Sequence, residues 1–271
     1  LVPSPKTGHI PFLFSLVDLL RPRRIVEVGT LRGAGFLAMC KAVRQANIDC
    51  ETIAVSSWAV GPELETEYQN VFETFSFLVQ KYAEFSSQLR MDYESASGKF
   101  ADHSVDLIHL DGFCEEAPLR HALDLWLPKL SKRGVVMLHD TNAFGGDFGV
   151  WRVWEDLAAV HPSLGFGHAQ GLGVACVGSD VPHELTALCR LLAEDRHARK
   201  LVAHHFEQQG QLSTELFSRR FDMAQGEAKA LSEGAQAEEL SWLRQEVETL
   251  RSDNAQLRGL LQKEIRLADI A

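Results

Sequence analysis

Four short apolar runs stand out along the chain, each entered from a polar or glycine-bearing stretch and left at a charged or hydroxyl side chain. They are "RIVEVG" (24–29), "TIAVSS" (52–57), "VDLIHLDG" (105–112) and "GVVMLHD" (134–140). Each is too short for a helix and continuous rather than alternating, the pattern of strands buried on both faces. Between them lie stretches with apolar residues three and four apart, which predict helices over 34–47, about 64–84, 115–130 and 150–160. A weaker strand is expected at 87–91. Strand–helix alternation of this kind predicts a parallel sheet with helices on both faces. The segment "LGFGHAQGLGVACVG" (164–178) reads differently, as two strands around a glycine-containing turn that close the sheet with an antiparallel hairpin.

The pattern changes near residue 182. All nine prolines lie at or before Pro182, and the remainder is rich in Ala, Glu, Gln, Leu and Arg. One helix is predicted from His183 through Phe206, and Gly210, Gly226 and Gly234 interrupt the helical pattern beyond it. From Leu240 a heptad repeat begins. Leu240, Val247, Asn254 and Leu261 occupy one set of positions seven apart, and Leu243, Leu250 and Leu257 the other. Leu at d, with Val and a buried Asn among the a positions, predicts a parallel two-stranded coil whose register Asn254 fixes. Glu246 would face Arg251 of a second chain, and Asp253 would face Arg258. The expected organisation is therefore a domain over 1–180, a helical connector over 181–236 and a coiled-coil oligomerisation segment over 237–271 that makes a homodimer.

Composition narrows the function. A net charge of −10 argues against nonspecific nucleic-acid binding, which needs a basic surface. No apolar run reaches the roughly 18 residues a membrane span requires. The first residues, "LVPSPKTGHIPF", lack the order of a signal peptide. The five cysteines form no CxxC pair, which suits reduced thiols and a cytoplasmic location.

Candidate chemistry gathers at the carboxyl ends of the predicted strands, where open α/β sheets place their ligands. The first strand ends in "EVGTLRGAG". Gly29, Gly33 and Gly35 let the backbone turn and a ligand approach, and Glu27 offers a carboxylate for an ammonium or hydroxyl. The spacing G-x-x-x-G-x-G departs from the dinucleotide fingerprint G-x-G-x-x-G. Asp111 and Asp140 end two consecutive strands, which brings them side by side if those strands are neighbours. Two carboxylates so placed need a cation or a proton between them, and Mg²⁺ meets that need. His139 is a candidate further ligand or general base, with Thr141 and Asn142 also within reach of the site. The alternative for His139 and Asp140 is that they only cap the next helix.

These stretches resemble class I S-adenosylmethionine-dependent methyltransferases. The residues that carry the likeness are "IVEVGTLRGAGFLAMCKAV", "VDLIHLDGFCEEAPLRHALDLWLPKLSKRGVVMLHDT" and "FGVWRVWEDL" followed by "GLGVACVG". Together they span roughly residues 8–178. The nearest branch in character is that of bacterial sugar O-methyltransferases, which accompany glycosyltransferases in polysaccharide biosynthesis. The resemblance implies a Rossmann-like seven-stranded sheet, mostly parallel, with an antiparallel last strand. It implies S-adenosylmethionine bound over Glu27, Gly29, Thr30, Gly33, Ser56, Ser57, Trp58 and Asp111. It further implies Mg²⁺ on Asp111 and Asp140, with His139 as neighbour, and His139 and Asp111 as the catalytic pair. The chain departs from the family at three positions. Ser56 stands where a ribose-binding carboxylate is usual, Cys114 where a His is usual, and Ala122 where an Asp is common. Those departures motivate a second expectation, an inactive methyltransferase fold dimerised by its coil to organise a glycosyltransferase partner. A third, a related metal-dependent hydroxylase, has no dedicated redox ligand set in the sequence.

Smaller features add detail. Trp58 and Tyr68 bracket the loop "AVGPELETE", where they either face a ligand or pack. Residues 142–149, "NAFGGDFG", read as a rim loop able to act as a lid. Trp151 and Trp154 read as core. His204 and His205, being adjacent on a helix, do not share a face and read as solvated or intersubunit residues.

Overall fold

A computed structural model describes residues 5–58, 65–226 and 259. Seven strands form one sheet: β1 (Arg24–Val28), β2 (Glu51–Ser56), β3 (Ser86–Arg90), β4 (Val105–Leu110), β5 (Leu130–His139), β6 (Ser163–Phe166) and β7 (Leu172–Cys176). Their order across the sheet is β3-β2-β1-β4-β5-β7-β6. Strands β1 to β5 are parallel, and β7 runs antiparallel to both β5 and β6. The Rossmann-like sheet with its closing hairpin is therefore as expected, and the short segment at 87–91 is the edge strand β3 at Ser86–Arg90. Strand β5 starts four residues earlier than the apolar run, because Leu130 pairs with Val105 before a register irregularity in the β4–β5 ladder.

The helices are α1 (Ile10–Leu20), α2 (Ala34–Gln45), α3 (Glu65–Val79), α4 (Tyr93–Ser97), α5 (Glu116–Trp126), α6 (Val150–Val160), α7 (His183–Glu194) and α8 (Arg196–Gly226). A 3₁₀ turn over Pro5–His9 precedes α1. One core cluster joins α1, α2, α7 and α8 to the sheet, through Phe12, Leu16, Met39, Leu185, Leu188 and Phe206 among others. A second lies where α4, α5 and α6 pack, around Trp126, Leu119 and Val153. Both faces of the parallel strands are thus covered, which is why β4 reads as an unbroken buried run.

Two expectations about the helical part need correction. The single helix predicted across 183–206 is two, because Asp195 leaves helical geometry and its carboxylate accepts the N–H groups of His197 and Ala198, capping α8. Gly210 does not interrupt α8 but lies inside it. A Cβ there would fall 2.1 Å from the Gly8 carbonyl oxygen, so the absent side chain lets α8 cross the N-terminal turn at close range. The heptad segment from Leu240, and with it the coiled coil, lies outside the described residues. Among the described residues no helix is long and apolar enough to cross a membrane.

Candidate functional site at the carboxyl ends of β1, β4 and β5

The sheet order makes β1 and β4 neighbours, and β4 and β5 neighbours, so their carboxyl ends deliver Glu27, Asp111 and Asp140 to one edge. The loops after β1 and β4 are in contact. Gly29 has φ +90, and a Cβ there would sit 1.8 Å from the Asp111 carbonyl oxygen. Gly112 has φ +75 and leans back on Gly29. The Asp111 N–H donates to the Val28 carbonyl at 2.8 Å. The first glycine of the β1 loop thus serves to bring the two strand ends together.

Glu27 is 1% exposed and spends both carboxylate oxygens inside the protein. Thr30 donates its hydroxyl to Oε1 at 2.8 Å, and His109 Nδ1 lies 2.8 Å from Oε2. A carboxylate only accepts, so the Nδ1 N–H faces Glu27, and His109 Nε2 is buried without a hydrogen-bond partner. Gly35 in α2 passes over the same carboxylate, where a Cβ would be 3.2 Å from Oε2.

Asp111 and Asp140 converge as their neighbouring strands require, and a side chain stands between them. The Lys6 ammonium, from the N-terminal turn, donates to Asp111 Oδ1 and lies 4.0 Å from Asp140 Oδ2. Asp111 Oδ1 also accepts the Gly112 N–H at 2.8 Å. Burial alone would raise the Asp111 carboxyl, but the adjacent ammonium outweighs it and holds the group well below the usual carboxylate range. Burial likewise opposes charge on Lys6, and the carboxylates around it more than compensate, so its pKa is raised. Asp140 goes the other way. Its burial and the charge of Asp111 lift it despite Lys6, and its Oδ1 is buried without a hydrogen-bond partner. Asp140 also holds a left-handed backbone, φ 60, fixed by its N–H on the Gly171 carbonyl at 3.0 Å. Asp140 is therefore tied to the β6–β7 hairpin turn rather than free to cap a helix, and the next helix begins only at Val150.

His139 is 3% exposed. Its ring lies between those of His109, 5.2 Å away, and His9, 5.1 Å away, and His9 in turn packs on His168 at 4.5 Å. Burial pushes His139 well below its ordinary range, with neighbouring positive charge adding to the effect, and pushes His9 down to about 3. The imidazoles of His139 and His9 are neutral at neutral pH. Sequence patterning does not point to Lys6, His9 or His168 at this site. Their signal in sequence is weak, since each reaches it from a segment far away along the chain.

The β2 end is occupied by packing. Ser56 Oγ accepts the Trp58 N–H at 3.2 Å, and the Trp58 indole N–H donates to the Leu31 carbonyl at 3.0 Å. Trp58 is 2% exposed, stacked on Phe75 with ring centres 5.3 Å apart. Phe75 also fills the space beside Gly33, where a Cβ would come within 2.4 Å of its ring. Ser57 is exposed beside this cluster, and the Tyr68 side chain lies outside the described residues. Ala122 is fully buried and Cys114 is exposed. Helix α2 begins at this loop with no side chain capping its first N–H groups, an end suited to an anion. Beyond Cys114, the Gly149 N–H donates to the Cys114 carbonyl at 2.8 Å and anchors the rim loop. Below that loop lies an open cleft of about 540 Å³ lined by Glu115, Glu116, Ala117, Gly146, Asp147, Phe148 and Arg152. Trp154 packs over the glycines of β6 and β7, and Trp151 packs beside Phe144 with ring centres 5.8 Å apart. His204 is exposed.

Among the described residues, no group of three or more His, Cys, Asp or Glu side chains is arranged to hold a metal ion. Mg²⁺ is commonly held by one or two carboxylates completed by waters and substrate oxygens, and here an ammonium already fills the gap between the two carboxylates. The donor set does not fit the Mg²⁺ site that the sequence resemblance implied.

Comparison with known proteins gives one family match and several likenesses. Residues 26–141 match the family model described as a methyltransferase domain. A curated protein of Sinorhizobium fredii, the uncharacterised protein y4gI, is 37% identical over 186 residues. That match covers 69% of this chain but 20% of the relative, so the chain spans about a fifth of that protein's length. Solved structures with a similar fold include the O-methyltransferase TomG from Streptomyces achromogenes, involved in tomaymycin synthesis and in complex with SAM. It is 18% identical, with a TM-score of 0.46, over 63% of this chain and 79% of that one. An O-methyltransferase from Bacillus cereus in complex with SAH is 16% identical, with a TM-score of 0.45, over 64% and 81% of the two chains. Residues 26–141 are thus similar in sequence to a methyltransferase domain, and they include most of β1, the β2, β3 and β4 strands and the apolar run of β5.

Proposed function

We propose that this chain transfers the methyl group of S-adenosylmethionine to a hydroxyl, on a sugar or glycan. The observation that carries the reading is the methyltransferase-domain match over 26–141, the very segment whose ends bring Glu27, Asp111 and Asp140 to one edge. Methyl transfer needs a sulfonium held in line with an acceptor oxygen, so most of the work is positioning. The carboxylates at this edge suit the cationic part of the cofactor, and the uncapped start of α2 suits its carboxylate. The cleft under the rim loop is lined by Glu115, Glu116, Asp147 and Arg152, a polar set that suits a hydroxylated acceptor better than an apolar one. His139, neutral and beside the carboxylate pair, is the candidate base. On this reading the cofactor would lie over Gly29, Thr30, Gly33, Ser56, Ser57 and Trp58.

A second reading has its own support. Both oxygens of Glu27 are engaged internally, Ser56 is bonded to its own loop and Trp58 is buried. An inactive fold that dimerises through the coil and gathers a glycosyltransferase partner is consistent with those contacts.

Calorimetric titration of S-adenosylmethionine and S-adenosylhomocysteine into the full chain separates the two. Binding in the micromolar range is expected, and then methyl transfer when sugar acceptors are screened. No binding of either nucleoside at millimolar concentration would remove the enzyme reading and leave the scaffold.

A further inference from the structure

We propose that the Lys6 ammonium is the resident cation of this centre, standing between Asp111 and Asp140 in the place a divalent ion would otherwise take, so that the centre works without a metal and the N-terminal turn belongs to it.

Two largely buried carboxylates held close repel, and the arrangement persists only with positive charge or a proton between them. Lys6 supplies that charge. It donates to Asp111 and stands 4.0 Å from Asp140. Lys6 is no surface lysine that happens to fall nearby. Its turn is clamped from two sides. Thr7 Oγ1 lies 2.9 Å from Thr214 Oγ1 of α8, and Gly210 of α8 crosses directly over the Gly8 carbonyl. On the other side, a Cβ on Gly8 would come within 2.9 Å of Ala169 in the β6–β7 turn. Thr7 and His9 are fully buried on either side of Gly8. The same β6–β7 turn fixes the Asp140 N–H through Gly171. One small assembly, made of the turn, α8 and the hairpin, therefore sets both the ammonium and one of its carboxylates.

The His139 ring packs between those of His9 and His109, and its Nδ1 is buried without a hydrogen-bond partner. An ammonium is a compact point charge that needs no coordination geometry and no waters. Placed at the carboxylate pair, it offsets their repulsion and holds Asp111 and Asp140 together. Lys6 is thus a positioning group, and the inference rests on the proposed methyl-transfer reading only for what the positioned carboxylates do.

Manganese titration with electron paramagnetic resonance detection tests the arrangement without a substrate. The wild-type chain is expected to take up no stoichiometric Mn²⁺ in the micromolar range, and its affinity for S-adenosylhomocysteine to be unchanged by EDTA. Lys6→Met removes the charge and keeps the stem. It should bind one equivalent of Mn²⁺ at least about tenfold more tightly than wild type, because the carboxylate pair then lacks a cation. Lys6→Met combined with Asp140→Asn should lose that gain. Stoichiometric Mn²⁺ on the wild type that Asp140→Asn abolishes would overturn the proposal, as would a folded Lys6→Met chain that gains no Mn²⁺. Lys6→Gln serves if the Met variant does not fold, and the wild-type titration decides between ammonium and metal without any variant. The same samples distinguish this idea from the functional reading. Absent nucleoside binding with the Mn²⁺ pattern intact would remove the methyltransferase activity and keep Lys6 as the cation.

Discussion

Gly29 carries a constraint that chemistry at the site does not explain. Its φ of +90 is a conformation L side chains rarely adopt, and the space a Cβ would take is already filled by the Asp111 carbonyl. A methyl group there must either push β4's outgoing loop away or strain the β1 turn. Gly29→Ala is expected to destabilise the fold by more than about 2 kcal/mol, combining the backbone strain with the clash. Urea unfolding monitored by circular dichroism measures it. The variant should also shift Asp111 relative to Lys6, so any nucleoside affinity should fall with stability. If Gly29→Ala kept full stability and lost only binding, the glycine would serve the ligand alone. Gly35 offers the contrast. Its nearest polar contact for a Cβ is 3.2 Å away at Glu27, a fit that a small shift relieves.

At the scale of elements, the N-terminal turn and the hairpin enclose a cluster of imidazoles that must stay uncharged. His9 is pushed down to about 3 chiefly by burial, and His139 and His168 are also lowered, burial being the first cause for each. In the unfolded chain each titrates near its ordinary 6.5. Below that pH the unfolded state binds protons that the folded state refuses, so stability falls as pH falls, by up to about 1.4 kcal/mol per pH unit for each group. Above 6.5 the cluster contributes no pH dependence. Asp140, with a raised pKa, acts in the opposite sense and gains relative stability as it protonates. Urea midpoints between pH 7.5 and 5.5 should therefore drop, and His9→Phe should reduce the slope. An unchanged slope in that variant would mean His9 is charged in the folded state.

Legibility also varies by element. The buried strands are plain in the sequence because a strand covered on both faces leaves an unbroken apolar run, and β4 and β5 are such strands. The carboxylates at their ends are legible for the same reason, since the apolar run stops where the strand leaves the sheet. Helix α1 is not legible. Its segment "IPFLFSLVDLL" is apolar almost all round, because it is pressed between α2, α7 and α8, and such a segment has no amphipathic stripe to read. Lys6 is hidden because its meaning lies in Asp111, 105 positions away, and nothing local marks it. The alternatives for Trp58 are separable only by its contacts, which show the ring taken up by Phe72 and Phe75.

At the scale of the molecule, the described part closes its own core before the heptads begin. Helix α8 contributes Val202 and Phe206 to the cluster that also holds Phe12, Leu16 and Leu172, and it pins the N-terminal turn through Gly210 and Thr214. The folded unit therefore needs α8 at least as far as Thr214. The heptads from Leu240 lie outside the described residues, and we propose that they serve association. On that proposal, three heptads of Leu, Val and Asn would make a marginal coil in which an a-position Asn trades stability for register. Association through it should be concentration-dependent. The full chain is expected to show a dimeric mass by light scattering that falls toward monomer on dilution, and removal of residues 237–271 should leave a monomer at every concentration. The unfolding midpoint of the truncated chain should match that of the dilute full chain, since every core residue among the described residues is kept. Replacing Asn254 by Leu should tighten association and loosen its stoichiometry, because the polar residue that rejects other registers is gone. A truncated chain that stayed dimeric would move the interface from the heptads onto the folded unit itself.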